Sequence, residues 1–218
     1  MHVRLVAFDM DGVLTLERSS WEFVHRHLGV DNSDNLDLYR KSEITYSEFL
    51  ARDVRRWLSV KPDMTTTDLK NILSGIKTVK NINSSVRALK DAGITCAIIS
   101  GGLMPLAERI SSESGIGIVR ANDIVTAEDG KLTENGIIMV EPNSKDIVLR
   151  DIQKKNGIKP DSTVSIGDSP EDSRMFFLSA NSIYIAAEDR MNGISATCVL
   201  PPGDLKPVAE TILGWNSQ

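Results

Sequence analysis

Two aspartates separated by one residue, Asp9 and Asp11, follow the apolar run Val6-Ala7-Phe8 and precede Gly12. Residues 3–8 are mostly apolar and partly β-branched, the composition of a strand buried in a parallel sheet. Both aspartates therefore stand where a strand stops, with a glycine permitting a sharp turn directly afterwards. Along an extended chain residues two apart project the same way, which crowds the two carboxylates into one small volume. That volume is the carboxyl end of a strand, where open α/β sheets place their ligands. Like charges so close need a cation or a shared proton. Asp and Gly are also ordinary turn residues, so the chemistry needs further partners.

Three later segments offer them. Ser100-Gly101-Gly102 closes a second apolar run just before a helix; glycines let backbone N–H groups approach an anion, and the same residues also suit a simple capped turn. Lys145 lies in the first turn of an expected helix, where a cation opposes the helix dipole and an anionic partner would offset it. Gly167-Asp168-Ser169-Pro170-Glu171-Asp172 follows another buried run and opens a helix, so Asp168 ends a strand as Asp9 does. Asp172 can equally complete a capping box with Ser169. Strand and helix ends thus supply carboxylates, a hydroxyl beside glycines and a lysine. Hard carboxylate oxygens suit magnesium, which binds few carboxylates alongside a substrate phosphate.

The elements that must position these groups can be read from periodicity. From residue 16 to about 77 the pattern is helical. Ser19 or Ser20 caps a helix with Trp21, Val24, His25 and Leu28 on one face, ended by Gly29. His25 and His27 flank that face with no partner at ligand spacing and are expected at the surface or its boundary. Thr45-Tyr46-Ser47-Glu48 reads as a capping box with Ile44 and Phe49 as its staple, opening a helix with Tyr46, Phe49, Leu50, Val54, Trp57 and Leu58 as a bundle core. Thr65-x-x-Asp68 starts a third helix, with Leu69, Ile72, Leu73 and Ile76. Three helices thus form a small cap inserted after the first strand.

From residue 80 helices and strands alternate. A helix ending at Gly93 precedes the strand Ile94–Ile99, and a helix over 104–114 follows. Short strands occupy 117–140 around a turn at Glu128-Asp129-Gly130-Lys131. A helix over 143–156 leads to a strand over 163–166, and Pro170 opens the next helix. Strands at 182–186 and 197–200 and a helix over 204–213 complete the chain. The expected fold class is α/β, a doubly wound, mostly parallel sheet over residues 1–15 and 78–218, with a helical cap over 16–77.

Composition bounds the rest. At 218 residues the chain can hold one α/β domain plus a modest insertion. Hydrophobic content of 41% and charged content of 25% are those of an ordinary folded protein. A net charge of −5 argues against a nucleic-acid or membrane-surface partner. No apolar stretch approaches the roughly 20 residues that span a bilayer. The strand-like start argues against a signal peptide. Cys96 and Cys198 have neither metal-site nor redox spacing and read as small core residues of a reduced compartment, so a cytoplasmic location is expected.

The motifs Asp9-x-Asp11-Gly12-x-x-Thr15, Ser100-Gly101-Gly102, Lys145 and Gly167-Asp168-Ser169-x-x-Asp172 together resemble those of the haloacid dehalogenase superfamily, in the same order and over almost the whole chain. Within it the helical cap, the Ser-Gly-Gly turn and the Asp129-Gly130-Lys131-Leu132-Thr133 hairpin look most like the phosphoserine phosphatases. The resemblance implies a Rossmann-like core with a mobile cap and a phosphatase of small phosphorylated metabolites. It implies Asp9 as the nucleophile that takes the phosphoryl group, and Asp11 as the acid that protonates the leaving alcohol and then activates water. It implies magnesium held by Asp9, the backbone carbonyl of Asp11, and Asp168. Ser100 and the Gly101 N–H would grip phosphate oxygens, Lys145 would offset their charge, and Asp172 would orient Lys145 or a metal-bound water.

The cap departs from the pattern. Where the resemblance implies a glutamate and an arginine for the substrate's amino and carboxylate groups, this chain aligns Arg18 and Asp53, an exchange of charge. Those two could pair with each other, or neighbours Glu17, Arg52 and Arg56 could restore the arrangement after a small slip. The reading from a different class is a receiver-like switch or phosphate-binding protein around a phosphorylatable aspartate, without steady turnover. The inserted helices and a dedicated acid at Asp11 argue against it.

Overall fold

The computed structural model describes residues 2–186 and 194–216; residues 187–193 of the expected core range lie outside them. Seven strands form one sheet in the order β4-β3-β2-β1-β5-β6-β7. They are β1 (Leu5–Phe8), β2 (Thr95–Leu103), β3 (Ile118–Thr126), β4 (Leu132–Ile137), β5 (Thr163–Gly167), β6 (Asn181–Ile185) and β7 (Cys198–Leu200). Every pairing is parallel except β3 with β4. β1 lies between β2 and β5, with Phe8 opposite Ile98 and Ile166. The carboxyl ends of these three strands therefore lie side by side, with Asp9 just after β1, Ser100 in the last part of β2 and Asp168 just after β5.

Alternation along the strands divides the core between two faces. Leu5, Ala7, Ala97 and Ile99 pack with Leu149, Ile152 and Met175, which come from α7 (Lys145–Asn156) and α8 (Ser173–Phe176). Val6, Phe8, Ile98, Val164 and Ile166 share a larger cluster with Val86, Leu89, Leu106, Ile110, Val208 and Ile212. Those come from α5 (Ile82–Asp91), α6 (Met104–Ser114) and α9 (Lys206–Asn216). Helices on both faces of a parallel sheet are the doubly wound arrangement. No helix among the described residues is long and apolar enough to cross a membrane.

Between β1 and α5 the chain forms α1 (Ser20–Leu28), α2 (Ser33–Arg40), α3 (Tyr46–Val60) and α4 (Thr66–Leu73). Trp21, Val24, Leu50, Val54, Trp57, Leu69 and Leu73 are buried in the same cluster as the sheet's larger face, and the Trp21 and Trp57 rings stack at 5.1 Å between centroids. Ser19, rather than Ser20, caps α1, its side chain accepting from the Glu22 N–H. Thr45 accepts from the Glu48 N–H at the start of α3, but Glu48 turns to Arg52 instead of returning the bond. Thr65 and Asp68 make a complete capping box.

Two expectations are corrected here. Helix α2 was not expected because SDNLDLYR lacks an apolar stripe, and only Asn35 in it is buried. Polar ties and one aromatic ring hold it instead: Asp31 accepts from the Ser33 N–H and O–H, Arg56 reaches Asp34 and the Asp31 carbonyl, Asn35 donates to Asp53, and Tyr39 stacks on Phe49 at 5.1 Å between centroids. His25, expected at the surface or its boundary, is buried. The Trp57 Nε1–H donates to His25 Nδ1 at 2.6 Å, and Nε2 lies 3.2 Å from Asp53 Oδ2. An indole can only donate, so Nδ1 accepts and Nε2 carries the proton toward Asp53.

Candidate active site

The candidate site is assembled from short segments at strand ends, each shaped by a local constraint. After β1 the chain turns at Gly12, whose φ is +78°. A Cβ there would collide with the Asp168 carboxylate, so the turn conformation and the carboxylate both require glycine. The Thr15 hydroxyl braces the turn through the carbonyls of Met10 and Glu17. Strand β2 runs on through Ser100-Gly101-Gly102 to Leu103, longer than its apolar run, with an irregular register against β3 between Ile99 and Leu103. Such an irregularity re-aims side chains next to a site. At Gly102 a Cβ would lie 2.6 Å from Asp11 Oδ2 and from Met10 Cε, and 2.7 Å from Ser20 Oγ.

Lys145 is the first residue of α7, and its ammonium is buried between two carboxylates, 2.8 Å from Asp9 Oδ1 and 2.6 Å from Asp172 Oδ1. Asp172 accepts with its other oxygen from the Ser169 hydroxyl and from the N–H groups of Ser169 and Asp168. It therefore performs both tasks that the sequence left open, the capping box and the contact with Lys145. Ser100 is buried, and its hydroxyl oxygen accepts from the Gly102 N–H at 3.1 Å.

The electrostatics follow from burial. Asp9, Asp168 and Asp172 offer oxygens all within 4.8 Å of one another, against one buried ammonium. Desolvation raises the Asp9 pKa well above the carboxylate range, with Asp172 and Asp168 adding to the rise and Lys145 opposing it. Burial likewise pushes Asp11 up to about 6, against hydrogen bonds from Ser20. It pushes Asp168 up to about 7, helped by Asp172 and opposed by Arg18. Burial alone would lower the Lys145 pKa, but Asp172 and Asp9 outweigh it, so the ammonium is held above its usual value. Acidic oxygens in excess of the cations that face them, with pKa values driven upward, fit a hard divalent cation.

These groups line a cavity of about 590 Å³ bounded by the strand ends and by α1, α2 and α3. Asp9, Asp11, Ser100, Gly101, Lys145, Asp168, Arg18 and Asp53 all line it. Arg18 is largely exposed and leans toward Asp168 at 3.7 Å. Asp53 is buried and accepts from His25, Asn32 and Asn35, so Arg18 and Asp53 do not pair with each other. Glu17, Arg52 and Arg56 are not among the lining residues: Glu17 pairs with Arg26, Arg52 with Glu48, and Arg56 with Asp34.

Four polar residues of the site were not singled out from the sequence. The Ser20 N–H and O–H both donate to Asp11 Oδ2. Trp21 Nε1–H at 3.1 Å, the Tyr46 hydroxyl at 3.4 Å and Asn122 Nδ2 at 3.1 Å converge on the Gly101 carbonyl. Asn122 is fully buried and also accepts from the Met139 and Val140 N–H groups. A signal existed for it, an asparagine within a strand run, where that residue type is depleted. For Ser20 the signal was a spare serine beside the cap. Tyr46 and Phe49, read as bundle core, also line the cavity.

A doubly wound sheet with carboxylates at three neighbouring strand or helix ends, a buried lysine among them and helices over the top defines a class of phosphate-handling enzymes. Residues 6–176 match the haloacid dehalogenase-like hydrolases, and the chain belongs to that family. It is 28% identical over 197 residues to a phosphoserine phosphatase of Archaeoglobus fulgidus, covering 88% of this chain and 55% of that protein. It is 24% identical over 198 residues to the phosphoserine phosphatase of Methanocaldococcus jannaschii, covering 90% of this chain and 92% of that one. A solved phosphoserine phosphatase carrying a phospho-aspartyl intermediate analogue superposes with a TM-score of 0.76 at 22% identity, over 97% of this chain and 99% of the other. The chain is thus phosphoserine phosphatase-like and stands among the phosphatases of its family, which sets the receiver-like reading aside.

Proposed function

We propose that this phosphatase hydrolyses the phosphomonoester of a small metabolite, with magnesium as cofactor and an aspartyl-phosphate on Asp9 as intermediate. The observation that carries the proposal is the unequal treatment of two buried carboxylates two residues apart. Asp9 faces the Lys145 ammonium, while Asp11 turns to the two Ser20 donors; burial raises both pKa values, that of Asp11 to about 6. With a cation bound to offset Asp168 and Asp172, Lys145 would hold Asp9 ionised as the nucleophile while Asp11 keeps a proton to give, the two parts that ester cleavage needs.

In the first step an Asp9 oxygen bonds to phosphorus as the ester oxygen departs, and Asp11 gives that oxygen its proton. In the second, Asp11 takes a proton from water as the water attacks phosphorus and Asp9 is released. Ser100 and the Gly101 N–H hold phosphate oxygens, Lys145 offsets their charge, and Asp172 keeps Lys145 in place. Asp9, Asp168 and the backbone carbonyl of Asp11 would hold the magnesium, which when bound neutralises charge between the nucleophile and the phosphate. In this reading residues 16–77 act as a cap over a core of 1–15 and 78–218. Two free cysteines, one of them buried, suit a cytoplasmic setting.

The substrate is a separate question. A zwitterionic amino acid needs an anion for its ammonium and a cation for its carboxylate, and a site built for them loses heavily when they go unpaired. Glu17, Arg52 and Arg56 are engaged elsewhere, Asp53 is surrounded by neutral donors, and Arg18 occupies the cavity edge. L-phosphoserine is therefore not the privileged substrate in this proposal. The test is kcat/KM with magnesium for L-phosphoserine against a panel of small phosphorylated acids and sugars. A flat profile, or preference for a compound without an amino group, is expected. A phosphoserine value about tenfold above every competitor, a gap of about 1.4 kcal/mol, would refute the specificity and leave the hydrolysis intact.

A further inference from the structure

Ser20 is fully buried and is the first residue of α1, where the chain enters the helical insertion. Both of its donors go to one atom. Its N–H and its O–H reach Asp11 Oδ2 at 2.9 and 2.8 Å. Its oxygen accepts from the Leu103 N–H at 3.1 Å, so the hydroxyl is tied at one side to the end of β2 and directs its proton to Asp11. Asp11 Oδ2 is also pressed against the Gly102 backbone, where a side chain has no room. The other oxygen, Asp11 Oδ1, is buried and has no hydrogen-bond partner among the described residues.

A carboxyl group held at one oxygen by two convergent donors cannot turn about its own axis without breaking both bonds. We propose that Ser20 is a positioning residue for the phosphatase reaction: it pins Asp11 Oδ2, so that Oδ1 is the oxygen that delivers the proton to the leaving group and recovers one from water. The inference rests on the phosphatase reading above and adds a residue from the inserted helices to the acid's control. Two donors on Oδ2 disfavour a proton there, which leaves Oδ1 as the atom that carries it. Because the Ser20 side chain hydrogen-bonds only to Asp11 and Leu103 among the described residues, its loss should disturb proton transfer and leave substrate binding alone.

The experiment compares wild type, Ser20→Ala, Ser20→Thr and Asp11→Asn, each with magnesium, on an alkyl phosphate such as glycerol phosphate and on p-nitrophenyl phosphate. Rapid-mixing measurements isolate the phosphorylation step. The nitrophenolate departs without help, so that step is insensitive to the acid, whereas an alkoxide needs the proton. Ser20→Ala is expected to lower the alkyl phosphorylation rate about ten- to hundredfold, within the reach of a mispositioned acid. KM should hold, and the aryl phosphorylation step should change less than about threefold by the same argument. Asp11→Asn should show the same pattern more strongly, and Ser20→Thr, which keeps the hydroxyl, should recover most of the alkyl rate. Equal loss on both substrates, a change confined to KM, or no recovery by Ser20→Thr in a folded protein would overturn the role. If Ser20→Ala fails to fold, a Ser20→Thr protein that is folded but has lost only the alkyl rate would overturn it too. Failure of wild type to turn over any monoester would instead strike the phosphatase reading.

Discussion

Replacing Lys145 by methionine tests whether the buried ammonium is what allows the acidic cluster to exist. The substitution keeps most of the unbranched side chain, one atom shorter, and removes one charge from between Asp9 and Asp172, at 2.8 and 2.6 Å. All three side chains are almost wholly buried, so solvent cannot take over the lysine's part. Removing one partner of a buried ion pair typically destabilises by about 3–5 kcal/mol. For a chain of this size each kcal/mol shifts Tm by about 2–4 °C, so a fall of roughly 6–20 °C follows from the same two estimates. Proton uptake limits the damage. Lys145 holds the Asp9 pKa down against burial, so its removal raises that pKa further. A carboxyl with a raised folded-state pKa favours folding at low pH and loses that advantage as pH rises. The deficit of Lys145→Met should therefore be smallest in mild acid and largest above neutrality. The assay is thermal unfolding in EDTA at several pH values, repeated with excess magnesium, which should restore part of the loss. The double substitution Lys145→Met with Asp172→Asn should be less unstable than additivity predicts. A Tm fall under about 3 °C above neutrality in EDTA, less than any loss expected for a buried pair, would refute the reasoning.

Three further outcomes are expected. Asp9→Asn keeps the shape of the side chain but removes the attacking charge, so turnover should vanish in a protein with wild-type circular dichroism; substantial residual turnover would exclude Asp9 as nucleophile. In EDTA the raised pKa values of Asp168, about 7, and Asp11, about 6, should make Tm fall as pH rises from the ordinary carboxylate range toward neutrality. Magnesium should flatten or reverse that slope by favouring the ionised forms, and an upward slope without metal would contradict the burial argument. Gly102→Ala places a methyl group 2.6 Å from Asp11 Oδ2 and 2.7 Å from Ser20 Oγ. It should cost more than about tenfold in kcat for alkyl phosphates, as displacement of a catalytic group by a fraction of an ångström does; near-wild-type kcat would show that Asp11 tolerates being moved.

What the chain carries in local form was legible without a structure. The apolar runs that end at Phe8, Ile99 and Ile166 became neighbouring parallel strands, because a strand buried on both faces reads as a near-continuous apolar run. Helix ends at Ser19, Thr65, Gly29, Gly115 and Gly157 were written in capping residues, which satisfy local backbone groups and need no distant partner. The aspartates of the candidate site stood out because they follow apolar strand runs, at the end of a parallel sheet where ligands bind. Tertiary structure alone decided what depends on a partner far along the chain. Asp53 became a buried acceptor because His25 of α1, Asn35 of α2 and Asn32 just before α2 surround it, and α2, held by polar contacts and the Tyr39 ring across helices, has no apolar stripe to read. Arg18 turned to Asp168, 150 residues away, rather than to Asp53. Ser20 met Asp11 only because the turn at Gly12 brings the start of α1 back over the end of β1. Capping and strand-forming preferences act over a few residues and are printed in the sequence. The pairing of buried polar groups is settled by which donors the packing of apolar faces delivers to them, and that packing exists only in the folded chain.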